Sequence, residues 1–373
     1  MLFGHRSSVI GQQSTVNEFM KALVLAGGSG TRLRPITHTS AKQLIPVANK
    51  PVLYYCLESL VNAGITDVGI IVGETHEEIR EAIGDGAQFG IKVTYIEQPD
   101  PLGLAHAVKI SEHFLKDDDF VMFLGDNLIK DGIKTLVQDF QKNKPNAQIL
   151  LAEVEDPQMF GVAQLNGDDK IVKLVEKPKD PPSNLALVGV YMFDKNIIKA
   201  VNSIKPSWRN ELEITDAIQH LIDTGLNVEP HIIKGWWKDT GKLEDMLEAN
   251  RMILEDLGEC CNGKVDDESK IIGRVLLEDD SEIINSVIRG PAIIGKNTIV
   301  ENSYIGPFTS VYYDCLIRNS EVEHSIILEK STIDDMHRIE DSLVGKNVKV
   351  CKTQAKPKAY RLMLGDNSKV EVT

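Results

Sequence analysis

The sequence has few cysteines, few aromatic residues and a deficit of positive charge. Only 5 of 373 residues are cysteine, and none forms a Cys-x-x-Cys pair, so neither a zinc site nor a disulfide framework is predicted. Reduced thiols are typical of the cytoplasm, which is the location we expect. The net charge of −14 argues against nucleic acid or an anionic membrane surface as the main partner.

Long apolar runs are also missing. No stretch is long enough to span a bilayer, so we expect no membrane insertion. Residues 1–19 lack the apolar segment of a signal peptide and are interpreted as an N-terminal extension or leader. The remaining length is typical of two domains, which we place at 20–257 and 258–373.

The most informative segment is a glycine-rich turn that follows an apolar run predicted to be a buried strand, 21–26. The turn contains Gly27, Gly28 and Gly30, where a missing Cβ lets backbone N–H groups approach an anion closely. Thr31 and Arg32 follow, and Lys42 comes ten residues after Arg32. The turn does not close with the Gly-Lys-Ser/Thr of a Walker A loop, nor does it lead straight into a helix as in a dinucleotide fold. It predicts a site for a highly charged phosphate ligand.

Short apolar runs alternate with helical patterns over the first 240 residues, which predicts an α/β fold with a mostly parallel sheet. Ligands bind at the carboxyl ends of the strands in such sheets, where both the glycine-rich turn and Asp126 fall. Predicted strands cover 21–26, 68–72, 93–96, 120–124 and 149–154, and predicted helices cover 53–63, 77–83, 104–114 and 243–257.

The C-terminal third has a different period. An acidic stretch, 262–269, is predicted to be poor in strands, and apolar residues then recur every five or six positions. That spacing fits neither a helix nor a flat strand, and it predicts a hexapeptide-repeat β-helix. The repeating residues are Ile288, Ile294, Val300, Ile305, Val311, Ile317, Val322, Ile327, Ile333, Ile339, Val344 and Val350.

Four polar residues are candidates for chemistry, and three of them have a structural alternative. Asp126 follows an apolar strand, which suits either a Mg²⁺ ligand or a turn. Asp239, in Trp-Trp-Lys-Asp-Thr-Gly, could be a second ligand or a cap for the following helix. Lys177 could hold a phosphate or face solvent. The Gln98 amide can match the donor and acceptor on a pyrimidine edge.

Together these motifs resemble the sugar-1-phosphate nucleotidylyltransferases, and within them the glucose-1-phosphate thymidylyltransferases. The resemblance covers 20–250, and a long-chain branch matches to the C-terminus. It implies a Rossmann-like nucleotidyltransferase domain with a mixed, mostly parallel sheet, followed by a left-handed parallel β-helix. It also implies Mg²⁺-dependent transfer of a thymidylyl group from dTTP to glucose-1-phosphate, with dTDP-glucose and pyrophosphate as products.

The resemblance also implies roles for residues at matching positions. The implied catalytic residues are Arg32, Lys42 and Lys177, and the implied metal ligands are Asp126 and Asp239. The implied nucleotide-binding residues are Gly27, Gly28, Gly30, Thr31, Arg32, Gln98, Gly103 and Asp126. The implied sugar-phosphate residues are Asn127, Gly161, Glu176, Lys177, Tyr191 and Arg209, with Arg209 and Glu211 on a lid.

One position departs from the resemblance, and several alternatives stay open. Phe160 stands where many relatives have tyrosine, so it cannot supply that hydroxyl. A preference for UTP, a second acyltransferase activity in the β-helix based on His324 or His337, and a non-catalytic regulatory subunit are the alternatives. We expect a homo-oligomer in which the β-helix serves assembly, and we expect some transfer to survive truncation after Leu257.

Overall fold

The computed structural model describes residues 20–28, 30–38, 40–258 and 260–352. The predicted leader, 1–19, and the last part of the predicted second domain, 353–373, lie outside the described residues. Within the described ranges, none of the helices has the length and apolarity that crossing a membrane requires.

The first region, up to residue 258, is built from alternating strands and helices. Its strands are β1 (Lys21–Leu25), β2 (Pro46–Val47), β3 (Lys50–Pro51), β4 (Asp67–Val72), β5 (Lys92–Glu97), β6 (Phe120–Leu124), β7 (Asn127–Ile129), β8 (Ala147–Glu153), β9 (Gly161–Leu165), β10 (Ile171–Glu176), β11 (Leu185–Phe193), β12 (Val228–Ile232) and β13 (Trp237–Asp239). Its helices are α1 (Val52–Asn62), α2 (His76–Ile83), α3 (Leu104–Ile110), α4 (Glu112–Leu115), α5 (Lys134–Asn143), α6 (Asn196–Ser203), α7 (Ile214–Asp223) and α8 (Leu243–Glu255).

The main sheet is mixed and has the strand order β10-β9-β11-β6-β1-β4-β5, with β8 pairing to both β11 and β12. The run β6-β1-β4-β5 is parallel, whereas β11 is antiparallel to β6, β8 and β9. Side chains alternate between two apolar layers: Ala22 and Val24 face one, and Leu23 and Leu25 face the other. Helices α1, α2 and α5 cover the first layer, and α3, α6 and α7 cover the second. The predicted α/β fold with a mostly parallel sheet is confirmed.

The predicted elements agree with this fold except in one helix. Strands predicted at 68–72, 93–96 and 120–124 match β4, β5 and β6 to within one residue at each end. The helix predicted at 104–114 was wrong as a single element, because the chain breaks it at Ser111 into α3 and α4. The Ser111 hydroxyl donates a 2.7 Å hydrogen bond to the carbonyl oxygen of Ala107, the local bonding by which serine competes with a continuing helix.

The second region is a parallel β-helix with three sheets. Its strands are β14 (Cys260–Cys261), β15 (Lys264–Val265), β16 (Lys270–Ile272), β17 (Val275–Leu277), β18 (Glu282–Ile284), β19 (Val287–Arg289), β20 (Ala292–Ile294), β21 (Ile299–Glu301), β22 (Tyr304–Ile305), β23 (Thr309–Val311), β24 (Leu316–Arg318), β25 (Glu321–Val322), β26 (Ile326–Ile327), β27 (Thr332–Asp334), β28 (Leu343–Val344) and β29 (Lys349–Cys351). Within each sheet, strands from successive coils pair in parallel.

The predicted repeat is confirmed, because all twelve repeating apolar residues line one core inside the coils. The stretch 262–269 is poor in strands as predicted, because two of its residues lie in a strand, β15, but it already belongs to the β-helix. Val265 in β15 pairs with Ile283 and packs against the same core, so the first coil already begins at β14. Acidic residues on its outward face hid the repeat. The left-handed sense of the coil stays a prediction.

Candidate active site

The glycine-rich turn and Asp126 meet at one edge of the sheet. In the register of β1 and β6, Leu25 lies opposite Leu124, so both strands end at the same level. The amide of Gly125 donates a 2.9 Å hydrogen bond to the carbonyl oxygen of Leu25, which ties the two turns together. The site therefore lies at the carboxyl ends of parallel strands, as predicted.

The glycines of the turn make room for Lys42. Gly30 has a φ of +61°, and a Cβ there would lie 2.9 Å from Thr37 Cγ2 and 3.0 Å from Lys42 Cβ. A Cβ on Gly28 would lie 3.2 Å from Lys42 Cε. The turn thus wraps around the lysine stem, and a larger residue at Gly30 would displace it.

Lys42 points at Asp126, and Asp239 lies beside this pair. The Lys42 ammonium forms an ion pair with Asp126 Oδ2, and both side chains are 14% exposed. Strand β13 runs antiparallel to β7 with Asp239 opposite Asn127. The amide and hydroxyl of Thr240 both donate to the Asp126 carbonyl oxygen, at 3.0 and 2.8 Å. Two strands far apart in the chain thus bring both carboxylates to one place.

Asp239 does not cap the helix that follows it. Helix α8 begins at Leu243, its cap residue is Lys242, and no side chain caps it. Asp239 Oδ1 is instead buried without a hydrogen-bond partner. A Cβ on Gly241 would lie 2.6 Å from Arg32 Nη2 and 3.2 Å from Asp239 Oδ1, so the guanidinium passes directly over this glycine beside the carboxylate.

The protonation equilibria of the three groups differ. Burial raises the pKa of Asp239 to about 6, and the nearby Asp126 carboxylate adds to the rise. Burial alone would raise the pKa of Asp126, but the Lys42 ammonium holds it below its usual value. Burial would likewise lower the pKa of Lys42, yet Asp126 raises it overall. Lys42 and Asp126 therefore stay charged, and Asp239 is the carboxyl group that a further cation would stabilise most.

The predicted base-reading residues form a separate group at the end of β5. Gln98 Nε2 lies 3.2 Å from the Gly103 carbonyl oxygen and 2.9 Å from His106 Nδ1. Gly103 has a φ of +102°, and a Cβ there would lie 2.4 Å from the Leu212 carbonyl oxygen. These contacts fix the Gln98 amide and explain why only glycine fits at 103.

Charged residues from three segments form the predicted sugar-phosphate side. Arg209 contacts Glu211 at 2.8 Å, Glu213 at 3.4 Å and Glu176 at 3.6 Å. Burial raises the pKa of Glu176, and the Glu213 carboxylate raises it further. Thr215 Oγ1 donates to Glu176 Oε2 at 3.3 Å, and a Cβ on Gly161 would lie 3.1 Å from that same oxygen. The arrangement is a carboxylate cluster held together by one guanidinium.

Lys177 and Tyr191 differ in exposure. Lys177 is exposed and has a φ of +40°, with its amide donating to the Phe160 carbonyl oxygen at 3.0 Å. Tyr191 is buried and stacks on Phe193, and burial raises the pKa of its hydroxyl. Lys177 thus presents an unburied cation beside Glu176, whereas Tyr191 packs in the second apolar layer of the sheet.

Phe160 has a packing role in place of the missing hydroxyl. Its ring lies edge-on to Trp237, with 5.5 Å between centroids. Trp237 Nε1 donates a 2.6 Å hydrogen bond to Asn127 Oδ1, and Asn127 Nδ2 donates to Asp126 Oδ1 at 2.9 Å. A continuous set of contacts therefore runs from the segment of Lys177 to Asp126.

Sequence reasoning missed several residues that shape the site. They are Thr240 and Gly241, which position Asp126 and admit Arg32, together with Trp237, Glu213 and Thr215. The Thr-Gly after Asp239 was the available signal, because a small residue after a ligand candidate indicates close approach. The functional roles assigned to individual side chains stay predictions.

Comparison with known proteins identifies the family of this chain. The nucleotidyl transferase family matches residues 21–256. A glucose-1-phosphate thymidylyltransferase of Streptomyces antibioticus is 58% identical over 95% of this chain and 99% of its own length. Another from Streptomyces griseus is 54% identical over 95% of this chain and 100% of its own length.

A solved structure resembles the first region. It is a Bacillus anthracis protein described as a glucose-1-phosphate thymidylyltransferase in complex with sucrose, 37% identical, with a TM-score of 0.60. The match covers 65% of this chain and 98% of that one. The chain belongs to the nucleotidyl transferase family, and its resemblance to the glucose-1-phosphate thymidylyltransferases is confirmed.

Proposed function

We propose that this nucleotidyltransferase transfers a thymidylyl group from dTTP to glucose-1-phosphate. The observation that carries the proposal is the convergence of Arg32, Lys42, Asp126 and Asp239 at the strand ends. The 58% identity to a glucose-1-phosphate thymidylyltransferase supports these substrates. Two anions must meet in this reaction. Fixed cations offset their repulsion, and a pair of carboxylates can hold a metal ion that does the same.

Asp126 and Asp239 would together hold Mg²⁺. Magnesium prefers one or two carboxylates together with phosphate oxygens and water, which is the donor set these residues leave room for. The buried Asp239 Oδ1 without a partner and the ammonium drawn to Asp126 both fit a site that favours a cation. When bound, the metal would neutralise phosphate charge between the substrates.

The side chains would position the substrates and offset their charge. The sugar phosphate oxygen attacks the α-phosphorus of dTTP in line, a new P–O bond forms, and the bond to the β-phosphate breaks to release pyrophosphate. Arg32 would bind the departing β- and γ-phosphates, Lys42 would flank the phosphate path, and Lys177 would hold the attacking phosphate. No protein nucleophile is needed, because orientation and electrostatic stabilisation account for such transfers.

Gln98 would recognise the pyrimidine edge, with Gly103 backing the base. Its amide is already oriented by the Gly103 carbonyl and by His106. Thymine and uracil differ by one methyl group, which an apolar pocket discriminates by about 1–3 kcal/mol. A preference for UTP is therefore the nearest alternative within the same chemistry.

A second activity in the β-helix has one observation in its favour. His337 is exposed and lines a surface groove of about 590 Å³ with Asn302 and Tyr304, whereas His324 is held 2.5 Å from Asp341. An acyltransferase would need such a histidine as its base. Incubation with acetyl-CoA and an amino-sugar phosphate tests this activity. Acylation that is lost in His337→Ala would establish the acyltransferase, and absence of acylation by the full chain would exclude it.

We also propose a cytoplasmic homo-oligomer. Five free thiols suit a reducing compartment, and flat β-helix faces suit self-association. Light scattering of the purified chain should give a mass that is a multiple of 41.4 kDa, and a monomer would contradict the oligomer.

The test of the reaction is a matrix of nucleoside triphosphates and sugar-1-phosphates, measuring pyrophosphate release with Mg²⁺. We expect the highest kcat/KM for dTTP with glucose-1-phosphate, and no release when the sugar phosphate is left out. A higher kcat/KM for UTP than for dTTP would show that uracil is the preferred base. Absence of turnover with every pair of substrates would reject the catalytic proposal.

A further inference from the structure

The segment that carries the catalytic cations rests on the β-helix. Leu33 directly follows Arg32, and Leu33, Ile45 and Val47 are all at most 4% exposed. They share one apolar cluster with Ile326 and Leu328 of the β-helix, separate from the two layers of the main sheet. The back of the cationic segment is therefore packed on the second region.

The helix after Asp239 packs in the same place. Met246, Leu247 and Ala249 of α8 belong to that cluster. Asp239 lies four residues before α8 begins, so the strand with the second carboxylate continues into a helix seated on the β-helix. Both the cations and Asp239 are thus attached to one supporting surface.

A single buried amide joins the three segments. Asn250 of α8 is fully buried, and its Oδ1 accepts hydrogen bonds from the Ala48 amide at 2.8 Å and from Ser310 Oγ at 2.6 Å. Its Nδ2 donates to the Phe308 carbonyl oxygen at 2.9 Å. Asn49 Nδ2 also donates to the Val311 carbonyl oxygen at 2.8 Å. The turn between β2 and β3 is thereby fixed to both α8 and β23.

We propose that Asn250 and Leu328 are positioning residues for nucleotidyl transfer, so that the β-helix is part of the frame of the active site. Asn250 acts through the Ala48 turn, which follows Lys42, and Leu328 acts through Leu33, which follows Arg32. The inference rests on the proposed function, but it concerns where the cations are held. Misplacement by about 1 Å can cost on the order of 10²-fold in rate.

A matched pair of cavity variants tests the role of Leu328. Leu328→Ala and Ile317→Ala each remove apolar volume from a fully buried position in the β-helix, but Ile317 belongs to the β-helix core and not to the shared cluster. Both should lower the melting temperature. Only Leu328→Ala should lower kcat, by about tenfold or more, when folded protein is assayed well below melting. Leu328→Val and Ile317→Val give the same comparison if an alanine variant does not fold.

A second pair tests Asn250. Asn250→Ala removes all three hydrogen bonds of the amide, whereas Ser310→Ala removes one and leaves the bond to Ala48 in place. We expect a tenfold or larger loss in kcat for the first variant and a loss below about threefold for the second. Equal effects of the two variants would mean that the link to Ala48 carries no positioning.

Hydrogen exchange separates this inference from the proposed function. Exchange at residues 40–51 should rise in Leu328→Ala and Asn250→Ala but not in Ile317→Ala, whatever substrates the wild-type protein uses. If the wild-type protein is inactive but the variants show these exchange changes, the proposed function is rejected and the role of the β-helix in holding residues 40–51 is retained. Normal kcat and unchanged exchange in both variants, relative to Ile317→Ala, would overturn the inference.

Discussion

At the scale of single residues, the candidate site depends on how Asp239 and Arg32 are placed. The local sequence around Asp239 allowed either a helix cap or a ligand, because a carboxylate shortly before α8 can serve in either role. The pairing of β13 with β7 excludes the cap, since it sets Asp239 opposite Asn127 and four residues before the helix, and the ligand role stays a prediction. Such a pairing joins segments more than a hundred residues apart, so no local pattern could reveal it.

Arg32→Ala should lower kcat/KM for dTTP by about 10²-fold or more, because it removes a fixed charge from the phosphate path. Arg34→Ala, two residues along in the same exposed segment, is the matched control and should change the rate by less than about threefold. Steady-state kinetics with circular dichroism as a folding check measures both. Equal rates for the two variants would show that Arg32 is only a solvated charge.

Asp239→Asn should reduce Mg²⁺-dependent turnover on the order of 10²-fold, since an anionic oxygen is lost where a hard cation would bind. Titration of Mg²⁺ or Mn²⁺ into the protein with dTTP should show weaker metal binding as well. Asp245→Asn removes the same charge six residues further along, in the first turn of α8, where the carboxylate pairs with Lys238 at 3.1 Å, and should spare metal binding. Intact metal binding and turnover in Asp239→Asn would contradict the ligand assignment.

At the scale of elements, hydrophobic periodicity predicted the strands and repeats that a local sequence pattern specifies. The parallel strands that carry the site and the apolar core of the β-helix were predictable, because each shows its spacing over several residues. The break at Ser111 and the first coil at 260–272 were not, since a side-chain hydrogen bond and an acidic outer face masked them. The antiparallel strand β11 beside β6 depends on sheet order, which the sequence does not display.

The glycine-rich turn allows the effect of backbone strain to be separated from the effect of displacing Lys42. Gly30 (φ +61°, ψ +30°) and Gly90 (φ +71°, ψ +27°) both have left-handed backbone, but a Cβ on Gly90 would meet nothing within 4 Å, whereas one on Gly30 would press on Thr37 and Lys42. Alanine at either position should cost about 1–2 kcal/mol of backbone strain. Only Gly30→Ala should also lower kcat, by about tenfold or more, because it moves Lys42. Equal kcat in both variants, with melting temperatures measured alongside, would contradict this role of the turn.

At the scale of the whole molecule, the two regions are more closely joined than the sequence indicated. Sequence reasoning assigned the β-helix to assembly and expected transfer to survive its removal. The shared cluster around Leu33 and Leu328 and the Asn250 hydrogen bonds could not be predicted, because they depend on how separate regions dock.

Truncation after Leu257 should therefore expose the apolar side chains of Leu33, Ile45 and Val47, lower the melting temperature and reduce kcat by more than about tenfold. Light scattering should show a smaller assembly as well. A truncated protein with the kcat of the full chain would restrict the β-helix to assembly, as the sequence suggested.

In the proposed transfer the two substrates react with each other directly, and the protein supplies position and charge but no nucleophile. The stereochemical course at the α-phosphorus distinguishes this route from a covalent one. One diastereomer of dTTP carrying sulfur on the α-phosphate is converted with glucose-1-phosphate, and the configuration of the product is read by phosphorus NMR. A single in-line displacement predicts inversion at phosphorus. Retention would require two displacements through a nucleotidylated side chain, and it would contradict direct transfer between the substrates.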